Sequence, residues 1–136
     1  MSVPQLSVFV ENRPGHLAEA LGTLAQGGVN ILSFTIADTT DYGILRLIVD
    51  RVAEAQRLLQ DAGYEVAVHP VVCTLLPDRP GALAAVVRLV SESGLDIEYI
   101  YQGARDSLLL RTEELEGLEK LLADAGFSVL GPGELS

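Results

Sequence analysis

Residues 11–17 read ENRPGHL, and residues 77–83 of the same chain read PDRPGAL, 66 positions further along. At the same offset, GVNI at 28–31 is matched by GLDI at 94–97. DAGYEV at 61–66 is then matched by DAGFSV at 124–129, but here the offset is 63. Three matches in the same order indicate an internal duplication, in which the second copy has lost three residues between the last two landmarks.

The lost residues are best placed in a hairpin. Residues 38–43 read DTTDYG, a polar segment between two apolar runs that is typical of a hairpin turn. The corresponding residues 102–107, which read QGARDS, lead sooner into the next apolar run at Leu108. Turns tolerate deletions that strands and helices do not. The sequence therefore predicts a shorter hairpin in the second copy.

Each copy shows the same alternation of strand and helix patterns. In the first copy we expect strands at 5–10, 30–37, 43–49 and 64–69. Its first helix would have Pro14 in the first turn and end at Gly27 and Gly28, and its second helix would end at Gly63. In the second copy the helices would end at Gly94 and near Ala125, and the strands would lie at 71–76, 96–102, 107–112 and 127–130.

The order βαββαβ is the ferredoxin-like arrangement, in which both helices cover one face of an antiparallel sheet. We therefore expect an α+β fold with two such modules side by side, residues 1–69 and 70–136. Only His69 and Pro70 separate the last strand of one from the first strand of the other, so no flexible linker is expected. The second strand of each module would lie at a sheet edge, and pairing of the two edges would give one eight-stranded sheet.

Composition limits the class of function. The chain is 49% hydrophobic, which is enough for a core, and its formal net charge is −10 with Lys120 as its only lysine. Neither nucleic acid nor an anionic membrane is an expected partner of a chain without a basic face. Cys73 is the only cysteine, and no signal peptide or membrane span is evident, so we expect a cytoplasmic protein.

No residue pattern indicates catalysis or a metal site. His16 and His69 are far apart in sequence, and Cys73 lies inside an apolar strand. The chain has no Ser-His-Asp set, no phosphate-loop signature and no Cys/His set with metal-ligand spacing. We therefore expect neither an enzyme nor a bound metal or cofactor. Tyr99 and Tyr101 on a predicted edge strand either line a pocket or pack within the sheet.

A strand followed by NRPGHL, a helix and then GGVNI resembles the ACT domain, and DRPGAL with SGLDI in the second copy resembles it again. The resemblance covers essentially the whole chain. It implies regulatory modules that act in pairs and bind an amino acid at their interface, here without a catalytic domain. The partners it implies are a small-molecule amino acid and either a further copy of the chain or an enzyme of amino-acid metabolism.

The resemblance and the helix ends indicate the same residues. The unpaired N–H groups and the dipole of a helix N-terminus favour a carboxylate, and Gly15 and Gly81 leave that backbone accessible. Asn12 and Asp78 offer oxygen acceptors to an ammonium group. The resemblance adds ligand contacts for Asn12 and Asn30, matched by Asp78 and Asp96. The predicted ligand-binding residues are Asn12, Arg13, Pro14, Gly15, His16, Leu17, Asn30, Ile31, Asp78, Arg79, Pro80, Gly81, Ala82, Leu83, Asp96 and Ile97.

Purely structural roles compete with this interpretation. Asn12 and Asp78 are also suited to capping a helix, Asn30 and Asp96 to ending a turn, and His16 to an exposed first turn. If the ligand lies between the modules, one pocket pairs Asn12 with Asp96 and the other pairs Asp78 with Asn30. Each pocket then holds one carboxylate for one ammonium.

The expected function is therefore a regulatory sensor that binds an amino acid at the interface between the two modules. Val10 and Leu76 stand where some amino-acid-binding ACT domains have histidine, so the resemblance does not identify the ligand. Apolar neighbours favour an aliphatic or aromatic ligand side chain. The alternative is a ligand-free interaction or assembly module that has kept the fold.

Overall fold

The computed structural model describes residues 2–38 and 41–135, so Thr39 and Thr40 of the predicted first hairpin turn lie outside the described residues. The elements follow in the order β1 (Val3–Glu11), α1 (His16–Gln26), β2 (Ile31–Asp38), β3 (Tyr42–Val49), α2 (Val52–Asp61), β4 (Glu65–Leu75), α3 (Ala82–Glu92), β5 (Tyr99–Gln102), β6 (Ser107–Arg111), α4 (Leu115–Asp124) and β7 (Val129–Leu130). None of the described helices is long and apolar enough to cross a membrane.

The chain divides into two compact units. The first unit is Pro4–His69, and the second is Pro70–Leu135 together with Ser2 and Val3. In the first unit the strands lie in the order β2-β3-β1-β4, and in the second β6 and β7 flank β4 while β5 lies beyond β6. Both units therefore have the predicted ferredoxin-like fold. The predicted strands 64–69 and 71–76 are one continuous strand, β4.

The core of each unit follows from simple periodicities. In the first unit, alternate residues of β1 and β3 are buried together with residues three or four apart on the helices. Its buried cluster includes Leu6, Val8, Val10, Ala20, Leu24, Leu45, Leu47, Ala55 and Leu59. The second unit repeats this pattern with Val72, Val86, Val90, Leu108, Leu110, Leu118 and Leu122. The helices thus cover one face of each sheet, and the loops at the sheet ends stay accessible.

The Arg-Pro-Gly sequence forms a turn and not the start of a helix. The N–H of His16 donates to the carbonyl of Arg13 at 3.2 Å, and Gly15 has φ 85° and ψ −16°. These are the angles of a type II β-turn, which takes proline at its second position and requires positive φ at its third. The helix begins at His16, so the prediction that Pro14 lies in its first turn is wrong.

The second unit repeats this turn. The N–H of Ala82 donates to the carbonyl of Arg79 at 3.3 Å, and Gly81 has φ 85° and ψ −5°. The two Arg-Pro-Gly sequences thus turn the chain sharply from a strand end into a helix. Their glycines are required by the backbone conformation, whatever else they do.

Strand register confirms that the three-residue deletion lies in the β5–β6 hairpin. Ile36 pairs with Leu45 in the first unit, and Gln102 pairs with Leu108 in the second. The first members of these pairs are 66 residues apart and the second members are 63 apart. The β2–β3 arm continues for two further pairs, whereas β5 ends at Gln102. The second hairpin is therefore the shorter one, as predicted.

Candidate functional site

The second unit has a cavity of about 630 Å³ beside its Arg-Pro-Gly turn. It is bounded by the end of β4, the turn, the first residues of α3 and the β5–β6 hairpin. The lining residues are Leu76, Pro77, Asp78, Arg79, Gly81, Ala82, Leu83, Ala84, Ile100, Tyr101, Gln102, Asp106 and Leu108. Of the six ligand-binding residues predicted at positions 78–83, only Pro80 is missing from this set.

Four charged or amide side chains line this cavity. They belong to Asp78, Arg79, Gln102 and Asp106, and all four residues are exposed. Across the described ranges 2–38 and 41–135, no hydrogen bond or ion pair engages these four side chains. Two carboxylates, one guanidinium and one amide are therefore available to a ligand.

The rest of the wall is largely apolar. Leu108 is buried and Ile100 is half-buried, and both belong to the core cluster of the second unit or pack against it. Leu83, which also lines the cavity, leaves 48% of its surface exposed at the start of α3. A ligand with an apolar part would cover this surface.

The start of α3 adds backbone donors. Gly81 is the N-cap residue, and no side chain caps the helix. Ala85 donates to the carbonyl of Gly81 at 2.9 Å, so the N–H groups of Leu83 and Ala84 precede this first regular helical bond. A Cβ built on Gly81 would meet no atom within 4 Å, which means that the space above this turn is open.

The glycine caps also test whether Asn12 and Asp78 serve only to cap the helices. Gly15 occupies the N-cap of α1, and no side chain caps that helix either. The interpretation of Asn12 and Asp78 as helix caps is therefore wrong. Asn12 instead donates its backbone N–H to the carbonyl of Asp41 at 3.0 Å.

The loop of the first unit has a different environment. A cavity of about 320 Å³ lies beside it, and among the predicted residues only Arg13 and His16 line this cavity. Arg13 is ion-paired with Glu11 at 3.3 Å and with Glu19 at 3.5 Å. The guanidinium of this loop is thus engaged by its own neighbours, unlike that of Arg79.

His16 has a structural role in that loop. Its Nδ1 accepts the backbone N–H of Glu11 at 2.6 Å, and its ring stacks on Tyr64 with centroids 5.2 Å apart. Burial raises the pKa of Tyr64, and the nearby carboxylate of Glu19 raises it further. The half-buried His16 therefore holds the end of β1 against the start of α1 and is not simply exposed.

The remaining predicted residues of the first unit do not line this cavity. Asn30 is tied to Asp50 through its backbone, since its N–H donates to Oδ1 of Asp50 at 2.9 Å and its carbonyl accepts the N–H of Asp50 at 3.1 Å. Ile31 pairs with Val49 at the start of β2. The residues Asn12, Pro14, Gly15, Leu17, Asn30 and Ile31 line neither of the cavities at the two turns.

Asp96 and Ile97 line a third cavity of about 240 Å³, together with Val87 and Gly94. This cavity is separate from the one that Asp78 lines, although both belong to the second unit. The pairing of Asn12 with Asp96 and of Asp78 with Asn30 stays a prediction.

Sequence reasoning missed Leu76, Pro77 and Ala84 beside the turn and, on the hairpin side of the cavity, Ile100, Gln102, Asp106 and Leu108. The sequence signal for the four hairpin residues is the three-residue deletion, which shortens the β5–β6 hairpin beside the turn. Tyr101 lines the cavity and its ring also stacks on that of Tyr99 at 6.4 Å, so both interpretations of this tyrosine are confirmed.

Neither a metal cluster nor a reactive thiol occurs in the described part of the chain. Within residues 2–38 and 41–135, no group of three or more His, Cys, Asp or Glu side chains is placed to hold a metal ion. Burial raises the pKa of the Cys73 thiol to about 12, and the Glu134 carboxylate contributes to this shift. A thiol with such a pKa stays protonated at neutral pH and is a poor nucleophile.

Comparison with known proteins gives consistent results over the whole chain. The sequence profile of the ACT domain pair matches residues 1–130. The crystal structure of protein BT0572 from Bacteroides thetaiotaomicron is 33% identical, with a TM-score of 0.92 over 99% of this chain and 96% of that one. The ligand-free regulatory subunit of aspartate kinase from Thermus thermophilus shares the fold, with a TM-score of 0.66 and 18% identity over 92% of this chain and 93% of that one.

Two sequence relatives are small subunits of acetolactate synthase. The isozyme 3 small subunit of Escherichia coli is 35% identical over 83 residues, which are 61% of this chain and 49% of that protein. The small subunit of Haemophilus influenzae is 40% identical over 55 residues, which are 40% of this chain and 34% of that protein. The matched region thus spans half or less of the length of these relatives.

Proposed function

Because this chain belongs to the family of ACT domain pairs, we propose that it is a non-catalytic regulatory protein that binds a free amino acid. The observation that carries the proposal is the cavity of about 630 Å³ at the Arg-Pro-Gly turn of the second unit, where unengaged polar side chains meet an apolar wall. A binding site for a small ligand needs this combination, since apolar contacts supply affinity and a few polar groups fix orientation.

An amino acid matches the cavity group by group. Its carboxylate would meet Arg79 and the N–H groups at the start of α3, which also attract anions through the helix dipole. Its ammonium would meet the carboxylate of Asp78. Its side chain would cover Leu83, which is exposed without a ligand.

We further propose that amino-acid binding acts on a partner enzyme. The acetolactate synthase relatives are enzyme subunits by name, which supports an enzyme of amino-acid metabolism as the partner of this chain. A cytoplasmic location belongs to the same proposal. The division into two modules, residues 1–69 and 70–136, is part of it as well.

A thermal-shift screen of the standard amino acids tests the proposed function. A ligand present at a hundredfold excess over its Kd stabilises the folded state by about 2.7 kcal/mol, which raises the midpoint by several degrees. We expect one or a few amino acids to give such a shift in the wild type and to lose it in Arg79→Gln. Lys120→Gln, which removes a positive charge from α4, is the matched control and should keep the shift.

A ligand-free assembly module is the second candidate, and one observation favours it. Phe34 and Ile36 on β2 are 64% and 38% exposed, which leaves an apolar surface on a strand that the sheet order places at an edge. If no amino acid raises the midpoint, and Phe34→Ser converts an oligomer to a monomer in sedimentation analysis, this candidate replaces the first.

A further inference from the structure

The two units differ at the hairpin that faces the Arg-Pro-Gly turn. In the first unit the β1–β3 ladder continues to the pair Glu11 and Tyr42, and the N–H of Asn12 then bonds to Asp41. The longer arm thus runs alongside the loop as far as Asn12.

In the second unit the corresponding ladder, between β4 and β6, ends earlier. Leu75 pairs with Ser107, and the N–H of Leu76 donates to the carbonyl of Asp106 at 2.7 Å. The described backbone bonds do not continue this ladder to Asp78, whose position corresponds to Asn12. The short hairpin leaves this side of the loop open, and the large cavity lies there.

The short hairpin also carries a carboxylate in a strained turn. The N–H of Ser107 donates to the carbonyl of Ala104 at 3.1 Å, and Arg105 and Asp106 both have φ 57°. These angles match a type I′ turn, whose two central positions favour Asn, Asp and Gly. Positive φ is unfavourable for Arg105, whereas aspartate tolerates it.

In the first unit the residue equivalent to Asp106 carries no side chain. The equivalent of Asp106, at the offset of 63, is the buried Gly43. A Cβ at Gly43 would lie 3.0 Å from Oδ1 of Asp38 and 3.3 Å from Cγ2 of Val10. A side chain at Gly43 would crowd the Asp38 carboxylate, so in the first unit the carboxylate at this place comes from the opposite strand β2 and not from the residue equivalent to Asp106.

We propose that the ligand site is confined to the second unit, where Asp106 and Asp78 together hold the ammonium of one aliphatic α-amino acid per chain. This inference rests on the proposed function and specifies its ligand class and its stoichiometry. The charged groups that line the cavity are two carboxylates and one guanidinium. Their excess of one negative charge favours a ligand with an ammonium group, and Arg79 with the start of α3 selects for a carboxylate at its other end.

The apolar wall specifies the ligand side chain. Leu76, Leu83, Ile100 and Leu108 line the cavity and none of them offers a hydrogen-bonding side chain. A polar ligand side chain would lose its bonds to water against this wall, whereas an aliphatic one would bury apolar surface. In the first unit, Arg13 is ion-paired with Glu11 and Glu19, so a ligand carboxylate would have to compete with these two acidic groups.

Isothermal titration calorimetry of the full chain with L-leucine as the probe tests this inference. We expect one site per chain and roughly tenfold or greater loss of affinity in Asp106→Asn, a substitution that asparagine's tolerance of positive φ makes compatible with the turn. Asp124→Asn, an exposed aspartate at the end of α4, is the matched control and should bind like the wild type. L-leucinamide and 4-methylpentanoate, which lack the carboxylate and the ammonium, should both bind much more weakly.

The outcomes separate this inference from the function on which it rests. Two sites per chain, or an Asp106→Asn variant with unchanged affinity for L-leucine, would overturn the inference and leave amino-acid binding intact. Binding of a polar amino acid in place of L-leucine would overturn the ligand class alone. A wild type that binds none of the standard amino acids would overturn both proposals.

Discussion

Replacing Gly15 by alanine tests whether the Arg-Pro-Gly turn depends on backbone conformation alone. Gly15 has φ 85°, and a Cβ at this position would meet no atom within 4 Å. Steric overlap with neighbours therefore contributes nothing to the cost of this substitution. Gly22, in the interior of α1, is the matched control because a Cβ there also meets nothing within 4 Å, but its backbone is helical.

The magnitudes follow from these two environments. An L-residue in the left-handed region costs about 1–2 kcal/mol, and alanine's reduced freedom in the unfolded chain offsets part of this cost, by about 0.4–1 kcal/mol. Gly15→Ala should therefore lower the free energy of unfolding by about 1 kcal/mol. Gly22→Ala should raise it by about 0.5–1 kcal/mol, since glycine is unfavourable inside a helix.

Urea unfolding followed by circular dichroism measures both variants against the wild type. The expected difference between Gly15→Ala and Gly22→Ala is about 1.5–2 kcal/mol, well above the error of such comparisons when the slope is shared. Equal or greater stability of Gly15→Ala relative to Gly22→Ala would refute the assignment of a type II turn. Gly81→Ala in the second unit should behave like Gly15→Ala, because its φ and its open surroundings are the same.

Three further substitutions test other parts of the structure. The pKa of Cys73 is raised from 9.0 to about 12. The stability that its neutral thiol contributes is therefore fully present below pH 9 and is lost as the pH rises toward 12. In urea unfolding, the free energy of unfolding of Cys73→Ala should fall less between pH 9 and 12 than that of the wild type. Arg105→Gly should raise the free energy of unfolding by about 0.5–1 kcal/mol because it relieves positive φ in the hairpin, and a loss of stability would contradict the observed turn. His16→Ala should lower it by about 1–2 kcal/mol through loss of the bond to Glu11 and the stacking on Tyr64, and an unshifted Glu11 amide resonance would argue against that bond.

Much of the fold could be predicted because the duplication doubles every signal. Apolar residues with helical or strand spacing recur in the same order in both copies, and each copy has polar or glycine-containing turns between them. The change of offset from 66 to 63 also located the deletion, which strand register confirms between Gln102 and Leu108. Local patterns suffice here because burial in a two-layer fold is set by periodicity.

Errors arose where one residue suits two local structures. Pro14 is favourable in the first turn of a helix and equally at the second position of a type II turn, and only the positive φ of Gly15 distinguishes the two. Pro70 suggested a break between strands, but its extended backbone continues β4 at the cost of one N–H donor. In both places the residue preference is compatible with either local structure, so the preference alone does not decide between them.

Only the loop side of the large cavity could be predicted from the sequence. The loop residues from Asp78 to Leu83 followed from the motif, and they do line the large cavity apart from Pro80. Gln102 and Asp106 lie 19 and 23 positions after Leu83, and their place beside the loop depends on hairpin length. The deletion was visible in the sequence, but its consequence for the cavity follows only from the register of β4, β5 and β6.

The most direct test of amino-acid binding is a titration of the ¹⁵N-labelled full chain with L-leucine, followed through its backbone amide resonances. We predict that the largest shifts occur at Leu83, Ala84 and Asp106, which line the cavity of the second unit. The amides of Asn12 and Gly15 in the first unit should move little. Unchanged resonances at Leu83, Ala84 and Asp106 up to millimolar L-leucine, or larger shifts at Asn12 and Gly15, would contradict this account.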